Sequence, residues 1–369
     1  MPSPSEKFVA APGGRGYSLT IAFLMSNRVS HTDSPSAAAV SPRPSLEAYR
    51  WMVLARTFDD KMGALYRAGK VVGGVYLGRG QEAFSAAFGV HLHRGLGDVY
   101  SPLIRDQAGR SAFGESLLDA ARTCLGSVEG PMRGRDGNIH RGRPREGLPA
   151  MISHLGSSIS VVNGYLIAKR FRGESGHIGG ASAGEGATST GAFHESLNQA
   201  AVERLPLVVA VADNQFAYST PTRQQYACRS LADRALGYGI AGYEVDGTDL
   251  EACLATFAEA TGRARAGEGP QLVVGKLLRL AGHGEHDDAS YVPESVRSDH
   301  YGRDCLVVAR AALLERRIAD ETELESLEQA ARVEVEEAVA QAQREQGPDP
   351  ALDDWRALAT AELREGEGA

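Results

Sequence analysis

From residue 45 onward apolar positions recur at helical spacing, and past residue 156 that pattern gives way to helices alternating with short apolar runs. In SLEAYRWMVLARTFDDKMGALYRAG, Phe58, Met62 and Leu65 share one face, Ser45 stands where an N-cap belongs and Gly69 follows as a stop, which predicts a helix. GQEAFSAAFGVHL carries Phe84, Phe88 and Leu92 at i+4 steps, and ESLLDAARTCLG closes on Gly126; both predict helices. The stretches between and after them, GDVYSPLIRDQAGR and PMRGRDGNIHRGRPREG, read as charged loops, the second with five arginines among residues 133 to 145.

SSISVVNGYLIAKRF then places Ile159, Val162 and Leu166 on one helical face. An Ala/Gly/Ser segment leads to Gly184, a helix carries Phe193, Leu197, Ala201 and Leu205, and LPLVVAVAD reads as a fully buried strand. The alternation continues through YGIAGYEVDGTD, the helix LEACLATFAEATGRARA and the strand PQLVVGKLLRL. Such order predicts an α/β fold, a mostly parallel sheet flanked by crossover helices. From Cys305 to about Gln346 a helical pair is expected, its second half charged enough for a surface or subunit contact. Residues 1 to 44, rich in Ser, Pro, Ala and Gly without periodicity, read as a disordered extension within which Met25 is an alternative start. The organisation expected is therefore an extension over 1–44, an α/β domain over 45–304 and helices with a tail over 305–369.

Composition narrows the function classes. A net charge of −8 and a pI near 5.7 disfavour nucleic-acid binding by the surface as a whole. No run of 18 apolar residues is present, so no membrane span is expected. Cys124, Cys228, Cys253 and Cys305 lack disulfide or zinc spacing and read as reduced thiols of an intracellular, cytoplasmic protein.

One stretch carries candidate chemistry. GEGATSTGAFHESLNQAA sets Glu185 between two glycines ahead of a helix, and Asn214 follows the next strand 29 positions later. In a βαβ unit that spacing brings both residues to the carboxyl ends of two parallel strands, where open α/β sheets bind ligands. The flanking glycines allow close backbone approach, and a helix beginning near Ser189 to Gly191 aims free N–H groups at a phosphate. A carboxylate beside a phosphate needs a mediating cation, and Mg²⁺ takes oxygen ligands of this kind. A glycine-acid-glycine turn is also an ordinary turn, so these residues alone leave both readings open.

The longer stretch GEGATSTGAFHESLNQAAVERLPLVVAVADNQFAYSTP resembles the thiamine diphosphate motif of the alpha subunits of 2-oxo acid dehydrogenases, which begins Gly-Asp-Gly and ends near Asn-Asn roughly 30 residues on. LYRAGKVVGGVYLGRGQEA, LIRDQAG, VDGTDL and LLRLAGHGEHDDASY resemble further blocks of that family in the same order, so the likeness covers roughly residues 45 to 350. It implies the thiamine diphosphate-binding fold with a helical C-terminal segment. It further implies that Glu185, Asn214 and the Phe216 carbonyl hold Mg²⁺, and that Gly186 and Ala187 lie beside the diphosphate, which Arg105 contacts. By the same resemblance Leu155 is expected to meet the aminopyrimidine ring through its main chain, Tyr76 to face the cofactor, and His283, on a mobile loop, to act at the mouth of the active site.

Apart from the resemblance, Arg105 reads as a surface ion-pair residue, Leu155 as core, and His283, His286, Asp287 and Asp288 as a solvated loop or a small metal site of their own. The arginine-rich loop reads as an active-site or subunit contact with His140 towards the substrate, or as a phosphate or RNA patch. Three departures from the family pattern stand out: Glu185 for Asp, Ile104-Arg105 for Tyr-Arg, and Asp213-Asn214 for Asn-Asn. The implied activity is oxidative decarboxylation of a 2-oxo acid, the HGEHDD block favouring branched-chain members over pyruvate or acetoin ones, with the acyl group passed to a lipoyl acyltransferase. A beta subunit is expected to complete the site in an assembly of two alpha and two beta chains. A non-catalytic binding relative is the alternative that Glu185 and Ile104 motivate.

Overall fold

The computed structural model describes residues 30–31, 42–136 and 139–353. Most of the expected extension, Met25 included, and the tail from residue 354 lie outside the described residues. In chain order the strands are β1 (Ser30–His31), β2 (Val99–Ser101), β3 (Gly179–Gly184), β4 (Leu207–Asp213), β5 (Phe216–Ala217), β6 (Thr220–Pro221), β7 (Ala241–Asp246) and β8 (Gln271–Lys276). The helices before the second half of the sheet are α1 (Pro42–Arg67), α2 (Glu82–Val90), α3 (Gln107–Phe113), α4 (Leu117–Leu125), α5 (Ser157–Phe171) and α6 (Gly191–Val202). Those after it are α7 (Arg234–Tyr238), α8 (Leu250–Arg265), α9 (Glu294–Arg297), α10 (Cys305–Glu315) and α11 (Glu321–Arg344).

Six strands form one parallel sheet in the order β1-β7-β8-β4-β3-β2, and β5 with β6 makes a separate hairpin. The parallel α/β architecture expected from the alternating pattern is the one observed. Alternate residues of β4 go to opposite faces: Val208, Ala210 and Ala212 join a core with Phe84, Phe88 and Phe257 of α2 and α8, while Val209 and Val211 join another with Ile159, Phe193 and Leu197 of α5 and α6. Leu324, Val335 and Val339 of α11 are buried in the first of these cores, so this charged helix packs an apolar stripe inward. Its outer face is tied to α1 by Arg50–Glu334 and Lys61–Glu336 ion pairs.

Two local readings are corrected. The stretch read as the loop GDVYSPLIRDQAGR contains β2 and the first four residues of α3; the strand is too short for periodicity, and α3 is buried at six of its seven residues, which erases the amphipathic signal. The first helix begins at Pro42, so Ser45 lies inside it and is fully buried instead of capping it. Proline is at home in a first helical turn, whose N–H groups have no intrahelical acceptor.

The sequence GGASAG of β3 holds few β-formers because helices press on both its faces. A Cβ on Gly179 would lie 2.4 Å from Val162 Cγ1 of α5, and one on Gly180 2.8 Å from Phe88 Cζ of α2. Gly179→Val is therefore expected to lower unfolding free energy by ~3 kcal/mol through overpacking, read as a fall in urea midpoint at unchanged m. A midpoint equal to wild type would refute this account of the strand.

Candidate active site

A cavity of about 330 Å³ opens at the carboxyl ends of β3 and β4. Arg105, Leu155, Glu185, Gly186, Ala187, Asn214, Phe216 and His283 all line it, so eight of the nine residues singled out from the sequence converge on one place. Tyr76 does not line the cavity; it packs edge-on against the His283 ring at 5.5 Å. The floor is apolar and deeply buried, with Phe84, Phe88 and Ala210, whereas Leu155 and Tyr218 on the lip are 55% and 48% exposed.

Glu185 opens a 3-10 turn, Glu185–Ser189, directly after β3, and its carboxylate is 1% exposed. Its Oε2 accepts from the Asn214 backbone N–H at 3.3 Å and its Oε1 from Gln225 Nε2 at 3.4 Å, both long contacts. Among the described residues no cationic side chain forms an ion pair with it. Burial, and after it the neighbouring Asp213 carboxylate, pushes its pKa up to about 7. Gln225 Oε1 is buried with no hydrogen-bond partner. The desolvated acid and the Asn214 amide, both lining the cavity, offer hard oxygen ligands of the kind Mg²⁺ takes. The third expected ligand is less free: the Phe216 carbonyl already accepts from Arg279 Nη1 at 3.0 Å, leaving one lone pair for an ion.

The opposite charge meets the same cavity. Arg105 donates to the Leu77 carbonyl at 3.0 Å and the His283 carbonyl at 2.6 Å, and Arg279 to the carbonyls of Phe216, Tyr218 and Ala281 and to the Tyr291 hydroxyl. All these partners are neutral. Both guanidinium groups are buried, and burial, with Arg279 next, lowers the Arg105 pKa to about 10. Two desolvated cations without a carboxylate partner on one wall suit a multiply charged anion. Arg279 was not singled out from the sequence as a site residue, although it lies within the quoted block LLRLAGHGEHDDASY.

His283 is held from three sides. Its backbone N–H donates to Asp287 Oδ2 at 2.6 Å, its ring packs tilted against Tyr218 with centroids 4.5 Å apart, and its Nδ1 lies 3.4 Å from Arg105 Nη2. Burial, followed by the charges of Arg105 and Arg279, lowers its pKa to about 4, so the imidazole is neutral at pH 7. With Nδ1 facing a donor, the proton sits on Nε2. The alternative of a separate metal site here fails among the described residues, where no three His, Cys, Asp or Glu side chains converge for a metal.

The helix and loop read as candidate phosphate contacts lie as follows. The first turn of α6 is capped by Thr190, whose hydroxyl accepts from Phe193 N–H, and the cavity is lined by the Glu185–Ala187 turn that precedes it. In the arginine-rich loop three of the five arginines are engaged by carboxylates: Arg141 pairs with Glu115, Arg143 with Asp119 and Arg135 with Asp353. His140 in that loop contacts Asp136 and Ser153 and is not part of the cavity lining.

Residues 49–351 match the family model of the dehydrogenase E1 component. The chain is 32% identical over 306 residues to the alpha subunit of acetoin:2,6-dichlorophenolindophenol oxidoreductase of Cupriavidus necator, covering 83% of this chain and 91% of that one. It is 31% identical to the pyruvate dehydrogenase E1 component subunit alpha of Rhizobium meliloti, covering 85% and 89%. Against the 2-oxoisovalerate dehydrogenase subunit alpha of Bacillus subtilis the identity is 32%, over 87% and 98%. With the family model spanning well over half its length and relatives aligned along nearly all of theirs, the chain belongs to the dehydrogenase E1 component family, as an alpha subunit of the thiamine diphosphate-dependent 2-oxo acid dehydrogenases that its motifs resemble.

Proposed function

We propose that this chain is the alpha subunit of a cytoplasmic 2-oxo acid dehydrogenase that oxidatively decarboxylates a branched-chain 2-oxo acid, with thiamine diphosphate held through Mg²⁺. The observation that carries the reading is the cavity wall itself, where a buried carboxylate without a cation and two buried guanidinium groups without an anion face one space. Each charge lacks the partner that an Mg²⁺-diphosphate would supply. When bound, the cofactor supplies the nucleophilic carbon and the electron sink for loss of CO₂.

The residues of the chain do the rest. Glu185 and Asn214 hold the cation, with Phe216 offering its remaining carbonyl lone pair. Arg105 and Arg279 hold phosphate oxygens, and the turn through Gly186 and Ala187 brings backbone close to them; a Cβ on Gly186 would sit 2.7 Å from Ala217 Cβ. His283, neutral with its proton on Nε2, is a hydrogen-bond donor towards the keto acid at the mouth. The half-exposed Leu155 and Tyr218 form the rim that a beta subunit would cover to exclude water, in an assembly of two alpha and two beta chains serving a lipoyl acyltransferase.

The test uses the full chain purified with its copurifying beta chain, thiamine diphosphate and Mg²⁺. Reduction of an artificial electron acceptor is followed with 3-methyl-2-oxobutanoate, pyruvate and acetoin. Fastest turnover of the branched acid is expected. A preference for pyruvate or acetoin would move the substrate while keeping the site, and no turnover with a stoichiometric beta chain present would leave the non-catalytic relative standing.

A further inference from the structure

The side-chain amide of Asn214 has two unlike ends, and only its oxygen can bind a cation. Two contacts decide which way it faces. The Phe216 N–H lies 3.4 Å from Oδ1, which identifies that atom as the acceptor, but the contact is long. The strong contact is at the other end, where Nδ2 donates to Gln81 Oε1 at 2.8 Å. Because the Phe216 amide can only donate, Gln81 must present its oxygen to Asn214, and that choice turns Oδ1 away from Gln81.

Gln81 is itself 4% exposed and fixed in place. Its N–H donates to the Gly78 carbonyl and its carbonyl accepts from Ser85 N–H in the first turn of α2. Gly78 N–H is bound at 2.6 Å by Asp59 of α1, and Gly80 N–H at 2.8 Å by Glu82. The same segment offers the Leu77 carbonyl to Arg105. Residues 77–81 thus touch both the carboxylate side and the guanidinium side of the cavity from one rigid backbone.

We infer that Gln81 is a positioning residue of the cation site: by accepting from Asn214 Nδ2 it fixes the amide with its oxygen presented to the ion. This rests on the reading of Glu185 and Asn214 as cation ligands. Without the acceptor at position 81, the Asn214 NH₂ group is buried unpaired, and rotating the amide by half a turn is opposed only by the weak Phe216 contact.

The test is Mn²⁺ binding followed by electron paramagnetic resonance, on the full chain with its beta partner and thiamine diphosphate, for wild type, Gln81→Met, Gln81→Asn and Gln81→Glu. Methionine removes the acceptor at similar volume, asparagine withdraws it by one methylene, and glutamate keeps it. Half-saturation by Mn²⁺ is expected to rise roughly 10- to 100-fold in Q81M and Q81N, in the range of outer-sphere substitutions at metal sites, and not to rise in Q81E. At saturating metal, kcat is expected within about threefold of wild type in every variant, because the ion once bound is the same. Wild-type Mn²⁺ affinity in a folded Q81M or Q81N, or weakening shared by Q81E, would overturn the inference. Should Q81M fail to fold, Q81N decides in the same way. A wild-type protein that binds no Mn²⁺ with thiamine diphosphate would sink the underlying site assignment instead, so the two failures are told apart.

Discussion

Glu185→Gln is expected to abolish Mg²⁺-dependent binding of thiamine diphosphate and to lower turnover at least ~1,000-fold, while making the ligand-free chain more stable at pH 8. The two effects have one cause. Removing the carboxylate deletes the charged oxygen that the cation needs, and losing one charged ligand of a hard ion is among the larger single changes a binding site can suffer. The ligand-free protein, however, holds that carboxylate in a dry environment that pushes its pKa from 4.5 to about 7. A folded-state pKa above the unfolded value means that the folded chain keeps a proton the unfolded chain has released. The associated stability is complete below about pH 4.5 and is lost as pH rises through 7. At ~1.4 kcal/mol per pKa unit the gap sets an upper limit of roughly 3 kcal/mol, and a gain of ~1–3 kcal/mol for the variant at pH 8 is the expected result.

Asp59 behaves alike, raised to about 7 by burial, so the wild-type loss of stability has a second source that the variant retains. Urea denaturation of both proteins at pH 5 and pH 8, without cofactor, checks the prediction. A variant less stable than wild type at pH 8 would show that Glu185 is already compensated and has no need of a cation. Adding Mg²⁺ and thiamine diphosphate should reverse the order, since ligand stabilises only the protein that binds it.

Arg105→Met tests the anion side. Charge-assisted hydrogen bonds contribute ~1.5–3 kcal/mol each, so loss of this guanidinium should weaken thiamine diphosphate binding about 100-fold by calorimetry. The same change should raise the pKa of His283 from about 4 towards 6.5, because after burial Arg105 is the largest influence holding it down. The sign follows from the direction: a histidine whose folded pKa is depressed contributes stability above about pH 6.5 that is lost as pH falls through 4. Without Arg105 that window narrows and the protein becomes less sensitive to acid between those limits. Proton NMR titration of the imidazole signals, assigned with a His283→Gln spectrum, reads the shift directly. An unmoved His283 together with unchanged cofactor affinity would place Arg105 outside the site.

Much of this is legible in the amino-acid sequence. The helices α5 and α8 bury one stripe each, so Ile159 and Val162, and Leu254 and Phe257, repeat at helical spacing, while α2, buried at eight of its nine residues, shows only the i+4 repeat of its large side chains Phe84 and Phe88. Strands β4 and β8 are covered on both faces and read as continuous apolar runs. β3 was harder to recognise as a strand, because glycine and alanine are there to let α2 and α5 approach, a demand set by neighbours far away in the chain. α3 was missed for a related reason, its polar residues being buried too: Gln107 bonds Ser111, and Arg110 pairs with Glu115.

The sequence by itself determined the alternation of strands and helices, and with it the placing of Glu185 and Asn214 at adjacent strand ends, since a βαβ unit returns the chain to the same edge after one helix. What only the tertiary structure decided is the electrostatic state of the site. Arg105 reaches the cavity from the loop after β2, Arg279 from the segment after β8 and Gln81 from the start of α2, and no spacing along the chain relates them. Burial in one shared cavity leaves Glu185 and the two arginines without charged partners and shifts the proton affinities of Glu185, Arg105 and His283, because desolvation acts on where a group lies in space and not on its neighbours in the chain.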